Sequence, residues 1–292
     1  SNASYIQLVR HKNAESIVEA IKHIFEYLNG VPHTIWFDND SALVKIINME
    51  NGTVSRTLCD TFQRFKLHYE FKEVFMNPER GYEKGTVEQA VRFMRRNLLV
   101  PLPEFSDFDA FNKTLLEKSS NLLKREHYIL KQPIVDLHFE DINELNQLPP
   151  TSFVCTSVSS RKLDNYGRLT TENRHYYYLD PALAYERVQV KYLPYQLEIY
   201  YEEGTHIMTI PRISGKPGLR FINWSPYIRL LADKPAAMYN FSFLDLFEGN
   251  DSIIEKITKL EATKFQTFLY SFANMIDDIG IDDAVNKVNT LL

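Results

Sequence analysis

Hydrophobic residues in the first half of the chain switch repeatedly between short continuous runs and helical spacing. The runs predict β-strands, whereas apolar positions three and four residues apart predict helices. The first helix opens at Asn13 or Ala14 and stops at the Asn29-Gly30 pair. Such alternation is typical of an α/β layer. The predicted strands lie at 5–9, 33–37 and 70–75, and the predicted helices at 14–28, 57–69 and 86–99.

The pattern changes after Leu148-Pro149-Pro150, a turn-forming run that marks a domain boundary. Two further helices, at 108–123 and around 140–145, precede this run. Beyond it, short strands separated by turn residues indicate a small barrel or sandwich, and helical spacing returns over 251–292. The predicted strands are 154–158, 176–179, 188–192, 197–201 and 207–210.

Composition is that of a folded globular chain. The 292 residues are 44% hydrophobic and 24% charged, and no apolar run approaches the roughly 18 residues of a membrane span. The two cysteines, Cys59 and Cys155, are far apart and lack metal-ligand spacing, which favours a reducing cytoplasm over a disulfide framework. Residues 1–3 (SNA) are typical of an expression remnant, so we expect natural sequence upstream to have been removed.

The net charge of −5 argues weakly against a nucleic-acid partner, but the charge is unevenly distributed. Residues 1–150 carry −3, residues 151–234 carry +3 and residues 235–292 carry −5. A basic middle segment favours phosphate binding, because local patches matter more than the total. Ordinary variation of a few charges explains the same numbers equally well.

Two carboxylates stand at positions where they can do chemistry. Asp38 follows an apolar strand, where side chains reach the carboxyl edge of an α/β sheet and can hold a divalent cation. The run 38–41 (DNDS) is also ordinary turn chemistry. Glu88 lies in the first turn of a predicted helix, where a carboxylate is favourable in any protein. Its spacing from Lys84 and Arg92 also fits an ordinary salt-bridged face.

Basic residues cluster on the same helix. Arg92, Arg95 and Arg96 lie on neighbouring positions one turn beyond Glu88, where they favour either phosphate binding or a solvated surface. The run 173–181 (NRHYYYLDP) combines aromatic rings with positive charge, which is typical of DNA contacts and equally of a barrel strand with alternate rings buried.

These pieces together resemble a known family. Residues 30–39 (GVPHTIWFDN) and 84–97 (KGTVEQAVRFMRRN) resemble two motifs of the IstA-type transposases, which are members of the DDE transposase and retroviral integrase superfamily. The run 145–149 (LNQLP) is similar to the boundary that follows their catalytic core, and 176–181 falls where the family has a further strand.

The resemblance implies a fold and a chemistry. We expect an α/β, partial ribonuclease-H-like integrase core over 4–148, a small all-β barrel that contacts DNA over 151–234, and a helical tail over 235–292. Asp38 would be the second Asp and Glu88 the Glu of an Asp, Asp, Glu triad that holds two Mg²⁺ or Mn²⁺ ions. The expected DNA contacts are Lys84, Arg92, Arg95 and Arg96 near the catalytic edge and Arg168, Arg174, Arg187 and Lys191 in the barrel.

The chain departs from the family in one important respect. No Asp precedes Asp38, so the first catalytic Asp would lie upstream of Tyr5, and we predict that this fragment alone does not catalyse transposition. The strand at 5–9 would then leave a raw sheet edge that favours abnormal pairing or dimerisation. Gln89 also replaces the Arg expected beside the Glu, which weakens a phosphate contact.

The expected partners follow from the resemblance. They are double-stranded DNA, further copies of the chain in a homo-oligomer, and a partner ATPase that selects target DNA, all in a bacterial cytoplasm near the nucleoid and away from membranes. Two rival hypotheses remain. The chain is a transposase-derived DNA-binding or assembly protein whose metal site is unused, or it is a generic two-domain protein whose motifs are coincidental.

Overall fold

A computed structural model describes residues 1–50, 53–76, 85–171, 174–234 and 243–292. The chain divides into two compact units. The first comprises 1–158 together with the strand segments 191–198 and 209–212, and the second comprises 159–190, 199–208 and 213–292. Lys84 lies outside the described residues.

Helix α1 (Ala14–Leu28) opens the first unit where the sequence predicts it. The Asn13 side chain accepts a hydrogen bond from the backbone N–H of Ser16, which caps the first turn. Asn29 ends the helix in the left-handed conformation with φ 52°, which asparagine tolerates better than most residues. Both predicted boundaries are confirmed.

A small parallel sheet and a hairpin follow. Strand β1 (Thr34–Phe37) pairs in parallel with β4 (Lys72–Phe75), with Thr34 opposite Lys72. Between them lie an antiparallel hairpin, β2 (Val44–Glu50) and β3 (Thr53–Leu58), and helix α2 (Asp60–Tyr69). The hairpin was not predicted, and the helix predicted from residue 57 begins at Asp60.

Aromatic side chains fill the core of the first unit. Phe62 and Phe65 on α2 are fully buried, and the Phe65 ring stacks on Phe25 of α1 with centroids 5.7 Å apart. Phe37 at the end of β1 meets Phe62 edge to face at 5.0 Å. Offset and edge-to-face arrangements of this kind are the favoured geometries of aromatic pairs. The core therefore holds β1 against α2 directly beneath Asp38.

Residues 5–9 are not a strand, which corrects the sequence prediction. The segment runs instead along helix α4 (Phe108–Asn121), where the buried Asn112 side chain binds the backbone of Leu8. Asn112 Oδ1 accepts from the Leu8 N–H at 2.8 Å, and its Nδ2 donates to the Leu8 carbonyl at 3.0 Å. The Asn112 side chain thus satisfies the backbone groups that a neighbouring strand would otherwise pair. Because 5–9 is not a strand, the unpaired strand edge that was expected there is not formed.

The remaining helices of the first unit are α3 (Gly85–Leu98) and α5 (Ile134–Asn143). Helix α3 agrees with the prediction to within a residue at each end and packs against α4. Helix α5 begins six residues before the predicted 140–145 helix, because Ile134 is buried and extends the apolar face towards the N-terminus.

The later strands form two small sheets. One has the order β10 (His206–Pro211), β9 (Gln196–Tyr201), β8 (Arg187–Tyr192) and β5 (Ser157–Lys162). The other places β7 (Tyr176–Tyr178) between β6 (Arg168–Thr170) and β11 (Arg220–Ile222). The predicted strand 154–158 begins only at Ser157. Within the described residues neither sheet closes on itself, and the barrel stays a prediction.

Helices complete the second unit. Helix α6 (Trp224–Asp233), which was not predicted, packs on α8 (Ala262–Ile279). Helix α9 (Ile281–Lys287) also packs on α8, and α7 (Asp251–Thr258) adds Ile253 and Ile257 to the same core. Their core is built around Ile228 and Phe272, which are fully buried. Among the described residues, every helix is too short or too polar to cross a membrane.

Candidate functional site

Asp38 lies immediately after β1, at the carboxyl edge of the parallel β1–β4 pair. The Met76 N–H donates to the Phe37 carbonyl at 2.9 Å, so the two strands stay paired up to this edge. The Asp38 side chain is exposed, and its Oδ1 accepts a hydrogen bond of 2.8 Å from the Asn39 N–H. The fold thus presents an oriented carboxylate to solvent at the position that the sequence predicts.

The turn interpretation of the same run is correct for Asp40. Its Oδ1 accepts from the Ala42 N–H at 2.9 Å, and its second carboxylate oxygen lies 3.2 Å from Lys12 Nζ. Its carbonyl also accepts from the Leu43 N–H at 2.9 Å. Asp40 is therefore used in folding the turn, whereas Asp38 lies at the carboxyl edge of the strand pair.

Arg56 on β3 connects the residues that follow β1 and β4, and the sequence analysis did not identify it. Its Nε donates to Asn39 Oδ1 at 2.9 Å, and its Nη2 donates to the Met76 carbonyl at 3.2 Å. Asn39 Nδ2 donates to the same carbonyl at 2.6 Å. The guanidinium also lies 5.9 Å from the Phe75 ring centroid. We name this set of Arg56, Asn39 and the Met76 carbonyl the edge clamp.

Glu88 is exposed in the first turn of α3. Within the described part of the chain it forms no ion pair with Arg92, so the predicted salt-bridged face is not seen there. Arg92, Arg95 and Arg96 are likewise exposed and unpaired within the described ranges. Their charges are therefore available to a phosphate, and Gln89 beside Glu88 is exposed as well.

Metal-ligand chemistry at this site rests on two carboxylates. In the ranges that the structure covers, no group of three or more His, Cys, Asp or Glu side chains converges. The two carboxylates lie on separate elements, Asp38 directly after β1 and Glu88 in the first turn of α3. Exposed carboxylates are nevertheless the donors that Mg²⁺ prefers, since it takes few protein ligands and keeps several waters. The donor type fits the expected ion.

The Arg168 side chain is only partly exposed and contacts neighbouring residues of the second unit. Its Nε lies 2.8 Å from an Asp164 carboxylate oxygen, and its guanidinium lies 4.9 Å from the Tyr176 ring and 5.6 Å from the Tyr178 ring. Burial alone would lower the pKa of Arg168, but the Tyr178 hydroxyl and the Asp164 charge together raise it. These contacts favour a structural role, and the DNA contact at Arg168 stays a prediction.

The other predicted cations of the later strands differ in their pairing. Arg187 lies 3.7 Å from Glu202 and Lys191 lies 2.9 Å from Glu198, so both charges are partly neutralised. Arg174 is exposed, and its backbone is left-handed with φ 56°. Of the four cations predicted in this region, Arg174 is therefore the best placed to meet a phosphate.

Comparison with known proteins gives relatives of one kind, although no family model matches the chain. A transposase of Aminobacter aminovorans is 25% identical over 244 residues, or 82% of this chain and 47% of that protein. A transposase for insertion sequences IS1326/IS1353 of Pseudomonas aeruginosa is 24% identical with the same coverage. The transposase for insertion sequence element IS21 of Pseudomonas aeruginosa is 28% identical over 49% of this chain and 36% of its own length.

The chain spans about half the length of the curated relatives that it matches over most of its own length. The similar region covers more than four fifths of this chain, and each of these relatives carries the name transposase. The chain is therefore similar to the transposases of insertion sequences.

Proposed function

We propose that the chain is part of an IstA-type DNA transposase, in which Asp38 and Glu88 bind divalent cations for phosphoryl transfer on DNA. The parent protein would cleave element ends and join their 3′-hydroxyls to target DNA. The observation that carries the proposal is the Asp38 carboxylate, which stands exposed at the carboxyl edge of two parallel strands in a chain similar to transposases.

Each residue has a defined part in this proposal. Asp38 and Glu88 would hold Mg²⁺ or Mn²⁺, and the bound ions would supply activation of the attacking oxygen and stabilisation of the leaving one. Arg92, Arg95 and Arg96, on the same helix as Glu88, would bind phosphates beside the metal site. Lys84, just before that helix, is assigned the same role and lies outside the described residues. The edge clamp would fix the backbone from which Asp38 projects.

The proposal includes a limit on activity. A DDE site needs a third carboxylate, and no Asp precedes Asp38 in this sequence. We therefore expect no strand transfer by this chain alone, and a strand-transfer product formed by it would overturn that expectation. A partial ribonuclease-H-like core, assembly into a homo-oligomer on element ends and a partner ATPase belong to the same proposal and are supported by the resemblance.

Titration with Mn²⁺ followed by electron paramagnetic resonance tests the metal site. We expect saturable binding to the wild-type chain and a loss of more than about 10-fold in affinity for Asp38→Asn or Glu88→Gln, because each change removes a direct ligand. Asp40→Asn is the matched control, since Asp40 is two residues away but is paired with Lys12. Equal affinities for all four proteins would contradict the proposal.

The rival hypothesis of a DNA-binding or assembly protein with an unused metal site makes a different prediction. It requires binding to duplex DNA without any saturable Mn²⁺ site that depends on Asp38. The same titration, combined with a DNA-binding measurement at low salt, therefore separates the two hypotheses. Failure to bind either ligand would favour a generic two-domain protein.

A further inference from the structure

The three-stranded sheet of the second unit has a buried face and an outer face. Leu169 and Tyr177 lie on the buried face and are almost fully inaccessible. Strand pairing aligns Thr170, Tyr176 and Arg220 in one row across the three strands on the opposite face. Thr170 and Arg220 are exposed, and Tyr176 is half-buried. This row therefore presents a polar and basic surface to solvent.

A glycine-containing loop joins the end of this row. Gly218 N–H donates to the Arg174 carbonyl at 3.0 Å, and the Tyr176 N–H donates to the Leu219 carbonyl at 3.0 Å. Gly215 and Gly218 have φ values of 115° and 95°, a region that glycine occupies without strain. These bonds bring the segment that carries Lys216 against the turn that carries Arg174.

Three long cationic side chains therefore gather at one end of the sheet. Arg174, Lys216 and Arg220, which we name the basic rim, are all exposed. Neighbouring strands are about 4.8 Å apart and residues rise by about 3.3 Å along a strand, so Arg174 lies within roughly 10 Å of Arg220. Side chains of this length can reach adjacent phosphates from such positions.

The charge of the basic rim is not neutralised within the part of the chain that the structure describes. Arg174, Lys216 and Arg220 make no ion pair there, whereas Arg168 and Arg229 are paired with Asp164 and Asp277. Residues 204–232 contain no Asp or Glu at all. Glu172, the acidic residue closest to Arg174 in sequence, lies outside the described residues.

We infer that the basic rim binds the phosphate backbone of duplex DNA. Duplex DNA carries about one negative charge per 1.7 Å of its axis, so three neighbouring cations can each meet a phosphate. Such contacts fix position and carry no sequence information. The inference rests on the proposed function, which supplies DNA as the polyanion. It keeps the predicted contact at Arg174 and adds Lys216 and Arg220 in place of Arg168 and Arg187.

The test measures binding of a short fluorescein-labelled duplex of arbitrary sequence by anisotropy between about 50 and 200 mM KCl. The variant combines Arg174→Asn, Lys216→Gln and Arg220→Gln, and asparagine is chosen because it tolerates the left-handed backbone. The matched control combines Lys256→Gln on α7, Lys259→Gln directly after α7 and Lys264→Gln on α8. The control removes the same charge from another surface.

We expect the basic-rim variant to bind about 100-fold more weakly near 0.1 M salt, and the slope of log affinity against log salt to fall by about 3. The control should stay within about 3-fold of wild type, since distant charges are screened beyond about 10 Å at this salt. Unchanged circular dichroism and thermal melting would show that the variant is folded.

The outcomes separate this inference from the proposed function. Wild-type affinity in the basic-rim variant would overturn the inference while leaving the metal site untouched, and it would favour an acidic protein as the partner of this surface. Equal losses in the variant and the control would overturn it too, because only the total charge would then matter. No DNA binding by the wild-type chain would overturn the inference, whereas the metal site of the proposed function is tested separately by Mn²⁺ binding that depends on Asp38.

Discussion

Arg56 and Asn39, which are 17 positions apart in the chain, are joined by a hydrogen bond of 2.9 Å between the guanidinium Nε and the amide Oδ1. Asn39 is the residue that orients Asp38, because its N–H donates to Asp38 Oδ1 at 2.8 Å. The hairpin and the parallel strands are thus connected through one side-chain pair. The geometry of the candidate metal site depends on residues that are not themselves metal ligands.

Replacement of Arg56 tests the importance of the edge clamp. Arg56→Met removes two hydrogen bonds from a charged donor and leaves the Met76 carbonyl with the Asn39 amide alone. We expect the free energy of unfolding to fall by about 2–3 kcal/mol, measured by urea denaturation. Lys12→Met is the control, because it removes an exposed ion pair at 3.2 Å and should cost less than about 1 kcal/mol.

A double-mutant cycle assigns the loss to the pair itself. If Arg56→Met and Asn39→Ala act through the same contact, their combined effect should be smaller than the sum of the single effects by about 1 kcal/mol. Strictly additive effects would show that the two residues stabilise the edge independently.

The sequence predicted elements whose signals are local. Helix α1 is correct at both ends because Asn13 and Asn29 carry the capping chemistry within one turn of the helix. Asp38 was placed correctly because a strand end follows directly from the apolar run at β1. The position of Glu88 within α3 was predictable for the same reason.

The errors arise where distant residues decide the structure. Residues 5–9 have the composition of a strand, but the backbone of Leu8 is satisfied by Asn112, which lies 104 positions away. The edge clamp likewise joins positions that no periodicity connects. The β2–β3 hairpin is a different case, because its sequence contains Asn51-Gly52, a strong short-range hairpin signal that could have revealed it.

Asn112 provides a direct test of how residues 5–9 are held. Asn112→Ala removes both bonds to Leu8, at 2.8 and 3.0 Å, and takes the side-chain partner from the half-buried N–H and carbonyl of Leu8. We expect a loss of about 2 kcal/mol and faster amide exchange at Leu8 by hydrogen–deuterium exchange. Thr114→Ala, which removes only an exposed hydrogen bond to the Ala110 carbonyl on the same helix, should leave exchange at Leu8 unchanged. Protection that persists in Asn112→Ala would mean that other contacts hold the segment.

Gly167 is required by a close backbone approach in the second unit. Its φ is +65°, and a Cβ at this position would lie 1.8 Å from the carbonyl oxygen of Asp180. Gly167→Ala therefore forces the backbone to move and should destabilise the unit by about 3 kcal/mol or more, seen as a lower midpoint in thermal unfolding. Gly204→Ala is the control, because Gly204 has a φ of +95° but no atom within 4 Å of its added Cβ. If both variants lost similar stability, the cause would be the positive φ and not the close approach of the Asp180 carbonyl.

Glu19 gives the first unit a stability that depends on pH. Burial alone would raise the pKa of this carboxyl, but hydrogen bonds from His23, Cys155 and Lys22 outweigh burial and lower the pKa from its ordinary 4.5 to about 2. Lys22 Nζ lies 2.8 Å and His23 Nε2 lies 3.2 Å from the carboxylate. The folded chain therefore binds this proton less readily than the unfolded chain does.

The sign of the effect follows from this order of pKa values. The stabilisation is fully present above pH 4.5 and is lost as the pH falls towards 2. Between pH 6 and pH 3 the wild-type chain should lose about 1–2 kcal/mol more unfolding free energy than Glu19→Gln, which cannot take up the proton. Urea denaturation at both pH values measures the difference. Glu117→Gln, an exposed change on α4, should follow the wild type, and a Glu19→Gln variant with the full wild-type pH dependence would show that other carboxylates cause it.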